Sequence, residues 1–83
     1  MSYFVYIVEC NDGTYYTGST DDVARRIKAH NEGKTGAKYT KPRRPVRLIY
    51  KEACKDKGAA LSREAAIKRL SKMGKRALIK AVN

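Results

Sequence analysis

The sequence predicts an α+β domain in which a three-stranded antiparallel sheet is flanked by helices, in the order β-β-α-β-α-α. Two observations predict the sheet: a tyrosine-rich apolar run turns back on itself at Asn11-Asp12-Gly13, and a second run of β-type residues follows Pro45. A third observation is the helical spacing of apolar residues between and after these runs. With 83 residues, the chain is predicted to be a single domain, residues 1–83.

The first two strands are predicted to form a hairpin. Ser2 to Cys10 is rich in Tyr, Val, Ile and Phe and has apolar residues on both faces, which indicates a central strand. Thr14 to Gly18 supplies the second strand. The first helix is capped by Thr20 or Asp21 in this interpretation, and apolar or aromatic residues follow one of its faces, namely Val23, Ile27 and His30, up to Gly33.

The second half of the chain begins with a basic loop at residues 33–44. A third strand is predicted from Pro45 to Glu52, where Val46, Leu48 and Tyr50 alternate with Arg47, Ile49 and Lys51. We place it beside strand 1 because strand 1 is apolar on both faces. A helix from Lys57 to Leu70 follows, and Ser71 can cap a last short helix that runs through Val82.

Charge is distributed very unevenly along the chain. Residues 1–24 contain four acidic residues and no basic ones, whereas residues 25–83 contain all 19 basic residues and four acidic ones, so the two parts carry −4 and +15. A basic excess of this size on a small domain is expected of a nucleic-acid binder. Ribosomal proteins and proteins that bind membrane surfaces share this feature, so the charge alone does not decide the function.

Two further features bear on location and redox state. Cys10 and Cys54 are far apart and belong to no metal-binding cluster, so reduced thiols are expected. No apolar run approaches the roughly 20 residues needed to cross a bilayer, and the N-terminus lacks the layout of a signal peptide. We therefore expect a cytoplasmic protein that is not bound to a membrane.

The hairpin and the first helix contain Phe4-Val5-Tyr6, then Tyr16-Thr17-Gly18-Ser19-Thr20, then Arg26 and His30, with Glu64 on a later helix. This pattern resembles the GIY-YIG nuclease signature, in which two aromatic-ended tripeptides precede an Arg and often a His. The resemblance covers nearly the whole chain and extends to the small stand-alone bacterial members (YhbQ-like). Gly36-Ala37-Lys38-Tyr39-Thr40 and Arg63-Glu64 are part of it.

The resemblance implies a metal-dependent endonuclease that hydrolyses DNA phosphodiester bonds, with one divalent ion, Mg²⁺ or Mn²⁺, as cofactor and DNA as partner. Glu64 would bind the metal, Arg26 would stabilise the charged transition state, and Tyr6 would act on the attacking water. Tyr16 and His30 would assist proton movement and phosphate contact. A phenol is a poor base at its ordinary pKa, so Tyr6 would need a nearby cation.

Each of these residues also has a structural interpretation. Tyrosines on strands are usually packing residues, an Arg on a helix can simply be solvated, and a lone His is more often structural than catalytic. Glu64 could belong to an ordinary surface pair with Lys68.

Further residues are predicted to contact nucleic acid, mostly through phosphate groups, without any evident helix that reads bases. They are Gly18, Ser19, Lys28, Lys34, Lys38, Tyr39, Lys41, Arg43, Arg44 and Arg47. Cleavage is therefore expected to be directed by DNA structure, or only weakly by sequence, as in DNA repair or recombination. The alternatives are a non-catalytic nucleic-acid-binding module of the same fold and a ribosome-associated protein.

The turn of the hairpin tests the catalytic interpretation. A two-residue turn at Asp12-Gly13 is favoured by local statistics and would put Tyr6 and Tyr16 on opposite faces of the sheet. A three-residue loop with a left-handed Gly13 pairs Tyr6 with Gly18 and puts both tyrosines on one face. An active site that uses both tyrosines requires the second arrangement, which we predict.

Overall fold

The computed structural model describes residues 2–33 and 37–82, so Lys34 and Gly36 lie outside the described residues. The elements follow the predicted α+β order, β-β-α-β-α-α, with a short 3₁₀ turn before the third strand. They are β1 (Tyr3–Glu9), β2 (Tyr15–Thr20), α1 (Val23–Glu32), the turn Lys41–Arg43, β3 (Arg47–Cys54), α2 (Lys57–Lys68) and α3 (Lys72–Val82).

The sheet has the order β2-β1-β3 and is antiparallel throughout, so the predicted central position of β1 is confirmed. Four consecutive residues of β1, from Val5 to Val8, are buried. Burial of successive residues requires cover on both faces, because side chains alternate across a strand.

The two faces of the sheet are covered by different helices. Val5 and Ile7 project towards α2 and α3, where they pack with Ala60 and Ile67; we call this side the helix-pair face. Tyr6 and Val8 project the other way and pack near Tyr16 of β2 and Ile27 of α1; we call this side the tyrosine face. The sheet therefore separates two small hydrophobic clusters instead of enclosing one core.

A β-bulge interrupts the pairing of β1 with β3. Ile7 pairs with Tyr50 and Val8 pairs with Leu48, which leaves Ile49 as an extra residue. The bulge reverses the alternation along β3, so Val46 packs on the tyrosine face whereas Tyr50 packs on the helix-pair face. The uniform alternation predicted for this strand is therefore wrong at the bulge.

The helix caps differ in part from those predicted. Asp22, and neither Thr20 nor Asp21, caps α1 by accepting a hydrogen bond from the Arg25 N–H. Asp21 instead forms an ion pair with Arg25, and the Thr20 hydroxyl accepts a hydrogen bond from the Asp22 N–H. The predicted cap of the last helix is confirmed, since Ser71 accepts from the Gly74 N–H.

Cys10 is buried and Cys54 half-buried, and both are free thiols, as expected. Within residues 2–33 and 37–82, none of the helices is long and apolar enough to cross a membrane.

Candidate active site

The hairpin turn places both tyrosines on the tyrosine face. Gly13 has φ of 84°, its N–H donates to the Cys10 carbonyl, and the Cys10 N–H donates to the Thr14 carbonyl. This three-residue loop pairs Tyr6 with Gly18 and Val8 with Tyr16. The predicted register is confirmed over the two-residue turn that local statistics favour.

The phenol of Tyr6 lies across the backbone of Gly18. A Cβ atom built on Gly18 would stand 2.5 Å from the Tyr6 hydroxyl oxygen and 2.7 Å from Cζ, closer than real Cβ contacts. Any side chain at this position would therefore displace the phenol. Other residues can adopt the backbone conformation of Gly18, so its φ angle does not require a glycine. The close approach of the Tyr6 ring does.

Tyr6 and His30 meet in the interior of the tyrosine face. The Tyr6 hydroxyl oxygen lies 2.7 Å from Nε2 of His30, and Nδ1 of the same ring lies 2.8 Å from the Thr40 hydroxyl oxygen. The Thr40 hydroxyl donates to the Ala37 carbonyl at 3.0 Å. Tyr6, His30 and Thr40 are almost completely buried. A connected hydrogen-bond chain satisfies all three side chains, as buried polar groups require.

Burial raises the pKa of Tyr6 to about 12, and a hydrogen bond from the Arg26 guanidinium together with its positive charge opposes this shift. The nearby Tyr16 and the Glu64 carboxylate raise the pKa of Tyr6 further. In the free protein, Tyr6 is therefore a neutral phenol. Arg26 is the cation that this phenol contacts, as the helical spacing of Arg26 and His30 predicts.

Burial also lowers the pKa of His30 to about 4, and the positive charges of Arg26 and Arg44 lower it further. The imidazole is therefore neutral at physiological pH. A neutral ring has one protonated nitrogen and one nitrogen that accepts, so it can link a donor on one side to an acceptor on the other.

Tyr16 is part of a column of rings that leads from the interior to the surface. It makes an edge contact with His30, with ring centroids 5.3 Å apart, and stacks on Tyr39 at 6.0 Å. The Arg43 guanidinium lies 4.0 Å over the Tyr39 ring. These contacts give Tyr39 a packing role, so a base could stack on Tyr39 only where these neighbours leave its ring accessible.

Glu64 lies on α2, which packs on the helix-pair face. Its carboxylate is nevertheless close enough to Tyr6 for its negative charge to raise the pKa of the phenol. Its side chain is 17% exposed and forms an ion pair with Lys68 at 2.7 Å. The ordinary pair considered from the sequence is thus present. Lys68 is half-exposed, so this pair contributes little stability and can open at low cost.

The neighbouring Arg63 has a structural task that the sequence did not indicate. Its Nε donates to both carboxylate oxygens of Glu52 on β3, and the Tyr50 hydroxyl donates to the same carboxylate. This cluster ties α2 to the sheet one residue before Glu64. It therefore adds a polar contact between α2 and β3 to the apolar packing of the helix-pair face.

The residues predicted to contact phosphates fall into different environments. Lys28, Lys38 and Lys41 are exposed. Arg43 forms an ion pair with Asp12, and Arg47 forms one with Glu9.

Two other predicted contacts are differently placed. Arg44 donates to the carbonyls of His30 and Gly33 at the end of α1, which is a capping role. Ser19 pairs with Val5 and so belongs to the helix-pair face, on the other side of the sheet from Tyr6 and Tyr16.

Two residues of this region were not predicted from the sequence. Thr40 belongs to the segment that carries the family resemblance, but no role is predicted for it, because its loop has no periodicity that would place it against His30. Lys51 was not recognised because its position depends on the β3 register, in which it pairs with Tyr6 and therefore emerges on the tyrosine face. Lys51 is exposed and adds a positive charge to the tyrosine face.

A comparison of the sequence with known protein families gives a match over most of the chain. A family model described as the GIY-YIG catalytic domain matches residues 2–77. The chain belongs to the GIY-YIG family. Its relatives include a UPF0213 protein of Desulfotalea psychrophila, 56% identical over 96% of this chain and 73% of the relative. A UPF0213 protein of Staphylococcus aureus is 53% identical over 95% of both chains.

Two solved structures are similar to the chain over nearly its whole length. The chain is similar to the solution NMR structure of a UPF0213 protein from Bacillus halodurans, with a TM-score of 0.62, 48% identity and coverage of 98% of this chain and 85% of the other. It is also similar to a protein from E. faecalis, with a TM-score of 0.68, 37% identity and coverage of 99% and 86%. The chain is thus a member of a small bacterial GIY-YIG group within the nuclease superfamily.

The buried, neutral His30 of this GIY-YIG protein leads to a pH prediction. His30 is the one histidine of the chain, so its NMR signals are unambiguous. With its pKa lowered from 6.5 to about 4, the imidazole should not titrate between about pH 8 and pH 5.5. The imidazole takes up a proton near pH 6.5 in the unfolded chain but only near pH 4 in the folded protein. The free energy of unfolding is therefore highest above pH 6.5 and decreases as the pH falls from 6.5 towards 4. The loss amounts to about 3 kcal/mol. A titration midpoint near 6.5 in the folded protein would contradict this burial.

Proposed function

We propose that the protein is a metal-dependent endonuclease that hydrolyses phosphodiester bonds of DNA, directed by DNA structure or weakly by sequence. The observation that supports this most is the environment of the Tyr6 hydroxyl, which contacts the Arg26 guanidinium and His30 Nε2 on one face of the sheet. A phenol held between a cation and a neutral imidazole is suited to proton transfer. Any buried tyrosine needs a hydrogen-bond partner for its hydroxyl, but packing alone does not call for a guanidinium as a second partner.

Arg26 has two tasks in this proposal. Its charge opposes the rise in the pKa of Tyr6, as it does in the free protein. It would also stabilise the negative charge that accumulates on the phosphate oxygens as the attacking water approaches phosphorus. The nearby Lys51, and the exposed Lys28, Lys38 and Lys41, would hold the DNA backbone.

The divalent ion would be held by Glu64. Among the described residues, no group of three His, Cys, Asp or Glu side chains could form a complete metal site. A single carboxylate nevertheless fits Mg²⁺, which is usually bound by one or two carboxylates, substrate phosphate and water. The ion would supply positive charge to the phosphate and the attacking water and would offset the negative charge that raises the pKa of Tyr6.

In the proposed step, the water oxygen forms a bond to phosphorus while a water proton passes to the Tyr6 oxygen. The proton of Tyr6 passes to Nε2 of His30, and the bond between phosphorus and the leaving oxygen breaks with its electron pair on that oxygen. The leaving oxygen then takes a proton from solvent, and His30, whose pKa is low, releases its proton to solvent. Each group thereby returns to its starting state.

A non-catalytic nucleic-acid-binding module is the second candidate. Two observations favour it: the Glu64 carboxylate is already paired with Lys68, and the pKa of Tyr6 is about 12 in the free protein. A module that only binds, however, requires no buried chain from Tyr6 to Thr40. We therefore prefer the catalytic function.

DNA binding should depend strongly on salt because of the +15 balance of residues 25–83. If the protein neutralises about five phosphates, the plot of log K against log salt concentration should have a slope of roughly −4 to −5. Fluorescence anisotropy with a labelled duplex measures this slope. An affinity that scarcely changes between low and physiological salt would show that phosphate contacts do not drive binding.

The variant Glu64→Gln should lose cleavage by about a hundredfold or more, because the amide does not supply the charge that holds the ion. DNA affinity should stay the same or rise slightly, because a negative charge is removed and Lys68 is released from its pair. Nicking of plasmid DNA by purified protein, with and without chelator, measures the activity.

Glu32→Gln is a matched control, since Glu32 is an exposed acid on α1 with the same charge and length. It should retain cleavage. Full activity of Glu64→Gln, or of the wild type in excess chelator, would remove Glu64 and the metal from the mechanism.

A further inference from the structure

The Thr40 hydroxyl links its loop to the ring of His30. Thr40 lies between the Ala37 carbonyl, three residues earlier in the same loop, and the His30 ring on α1; its side chain is fully buried, and its hydroxyl contacts both groups. The loop that carries Thr40 packs against the tyrosine face through Tyr39, which stacks on Tyr16. The hydroxyl is therefore held at Nδ1 of the imidazole by the surrounding loop.

The number of available protons fixes the direction of each hydrogen bond. A threonine hydroxyl has one proton, and the Thr40 hydroxyl donates it to the Ala37 carbonyl, which can only accept. Towards His30 the hydroxyl can therefore only accept, so Nδ1 must carry the ring proton. Because the ring is neutral, Nε2 then has a free lone pair that faces Tyr6.

The other end of the chain leads to the same assignment. The Arg26 guanidinium can only donate, so the Tyr6 oxygen accepts from it. The Tyr6 proton is then free to be donated to Nε2 of His30, 2.7 Å away. Hydrogen bonds thus run in one direction from Arg26 through Tyr6, His30 and Thr40 to the Ala37 carbonyl.

We propose that Thr40 is a positioning residue: by accepting the Nδ1 proton of His30, it holds the imidazole in the tautomer that accepts the Tyr6 proton. This tautomer directs the Tyr6 O–H into the protein and leaves a lone pair of the phenol oxygen for the attacking water. The inference rests on the proposed function, since Tyr6 and His30 carry the proton there. Thr40 itself touches neither water nor substrate.

The opposite tautomer would prevent this arrangement. With the proton on Nε2, His30 would donate to the Tyr6 oxygen, which already accepts from Arg26, and the Tyr6 proton would point away from the ring. The phenol would then have to donate its proton to a group other than His30. Thr40 therefore acts on the reaction only through His30.

Nitrogen-15 NMR of the single histidine tests the tautomer directly. In the wild type at neutral pH, Nδ1 should give the signal of a protonated nitrogen and Nε2 that of an unprotonated one. The isosteric variant Thr40→Val removes the acceptor, so the signals should shift towards the other tautomer. Cleavage by this variant should fall by about tenfold to a hundredfold, the size of loss seen when a metal-binding histidine loses the partner that fixes its tautomer.

Two variants separate the hydroxyl from packing. Thr40→Ser retains the hydroxyl and should restore both the wild-type nitrogen signals and most of the activity. Thr17→Val removes another buried threonine hydroxyl, one that has no hydrogen-bond partner among the described residues. The Thr17 side chain lies on the helix-pair face, so this variant should leave the His30 signals unchanged.

The spectrum of the unmodified protein decides the proposal even if Thr40→Val does not fold. A wild-type His30 protonated on Nε2 would overturn it, as would a folded Thr40→Val with wild-type signals and rate. If the wild type cleaves no DNA under any condition, the proposed function fails. The nitrogen signals still show in that case whether Thr40 sets the tautomer, so the two failures are distinguishable.

Discussion

The left-handed conformation of Gly13 determines which side chains share a face of the sheet. It allows Cys10 to pair with Thr14 across a three-residue loop, and this pairing sets the register of the whole β1–β2 hairpin. A register shifted by one residue would send Tyr16 to the helix-pair face, because side chains alternate along a strand. The contact of Tyr16 with His30, the stack on Tyr39 and the approach of Gly18 to Tyr6 all depend on this one turn.

The second constraint is the burial of polar groups beneath that face. His30 and Thr40 are fully buried, and an unsatisfied buried partner costs about 1–3 kcal/mol. Each group of the chain is satisfied by its neighbour, so the loop that carries Thr40, helix α1 and strand β1 must dock together. The same contacts that stabilise the domain therefore orient the phenol and the imidazole, which links stability to the proposed chemistry.

The sequence was sufficient for those parts of the site that have local periodicity. Strand parity left two registers open for Tyr6 and Tyr16, and the requirement that one active site use both tyrosines selected the register that is observed. Arg26 and His30 follow from their spacing of one helical turn. The parts that arise from tertiary packing could not be derived in this way. Thr40 comes from a loop without periodicity, Lys51 depends on the bulge at Ile49, and the cluster around Arg63 joins elements that are distant in sequence.

Arg44 shows that amino-acid composition alone does not tell which basic residues can contact phosphate. Its charge suggests contact with phosphate, yet its guanidinium donates to the carbonyls at the end of α1. A basic residue in a nucleic-acid-binding sequence can equally well satisfy the backbone groups that a helix leaves unpaired at its end. Only the folded position of the side chain distinguishes these two uses.

The central claim is that the phenolic hydroxyl of Tyr6 takes part in the reaction. The most direct measurement is the rate of metal-dependent DNA cleavage by Tyr6→Phe, compared with the wild type at equal occupancy of the DNA. The change removes one oxygen atom and leaves the ring that packs over Gly18. Our account predicts that cleavage falls by about a hundredfold or more while DNA affinity is retained. Cleavage by folded Tyr6→Phe at the wild-type rate would contradict it.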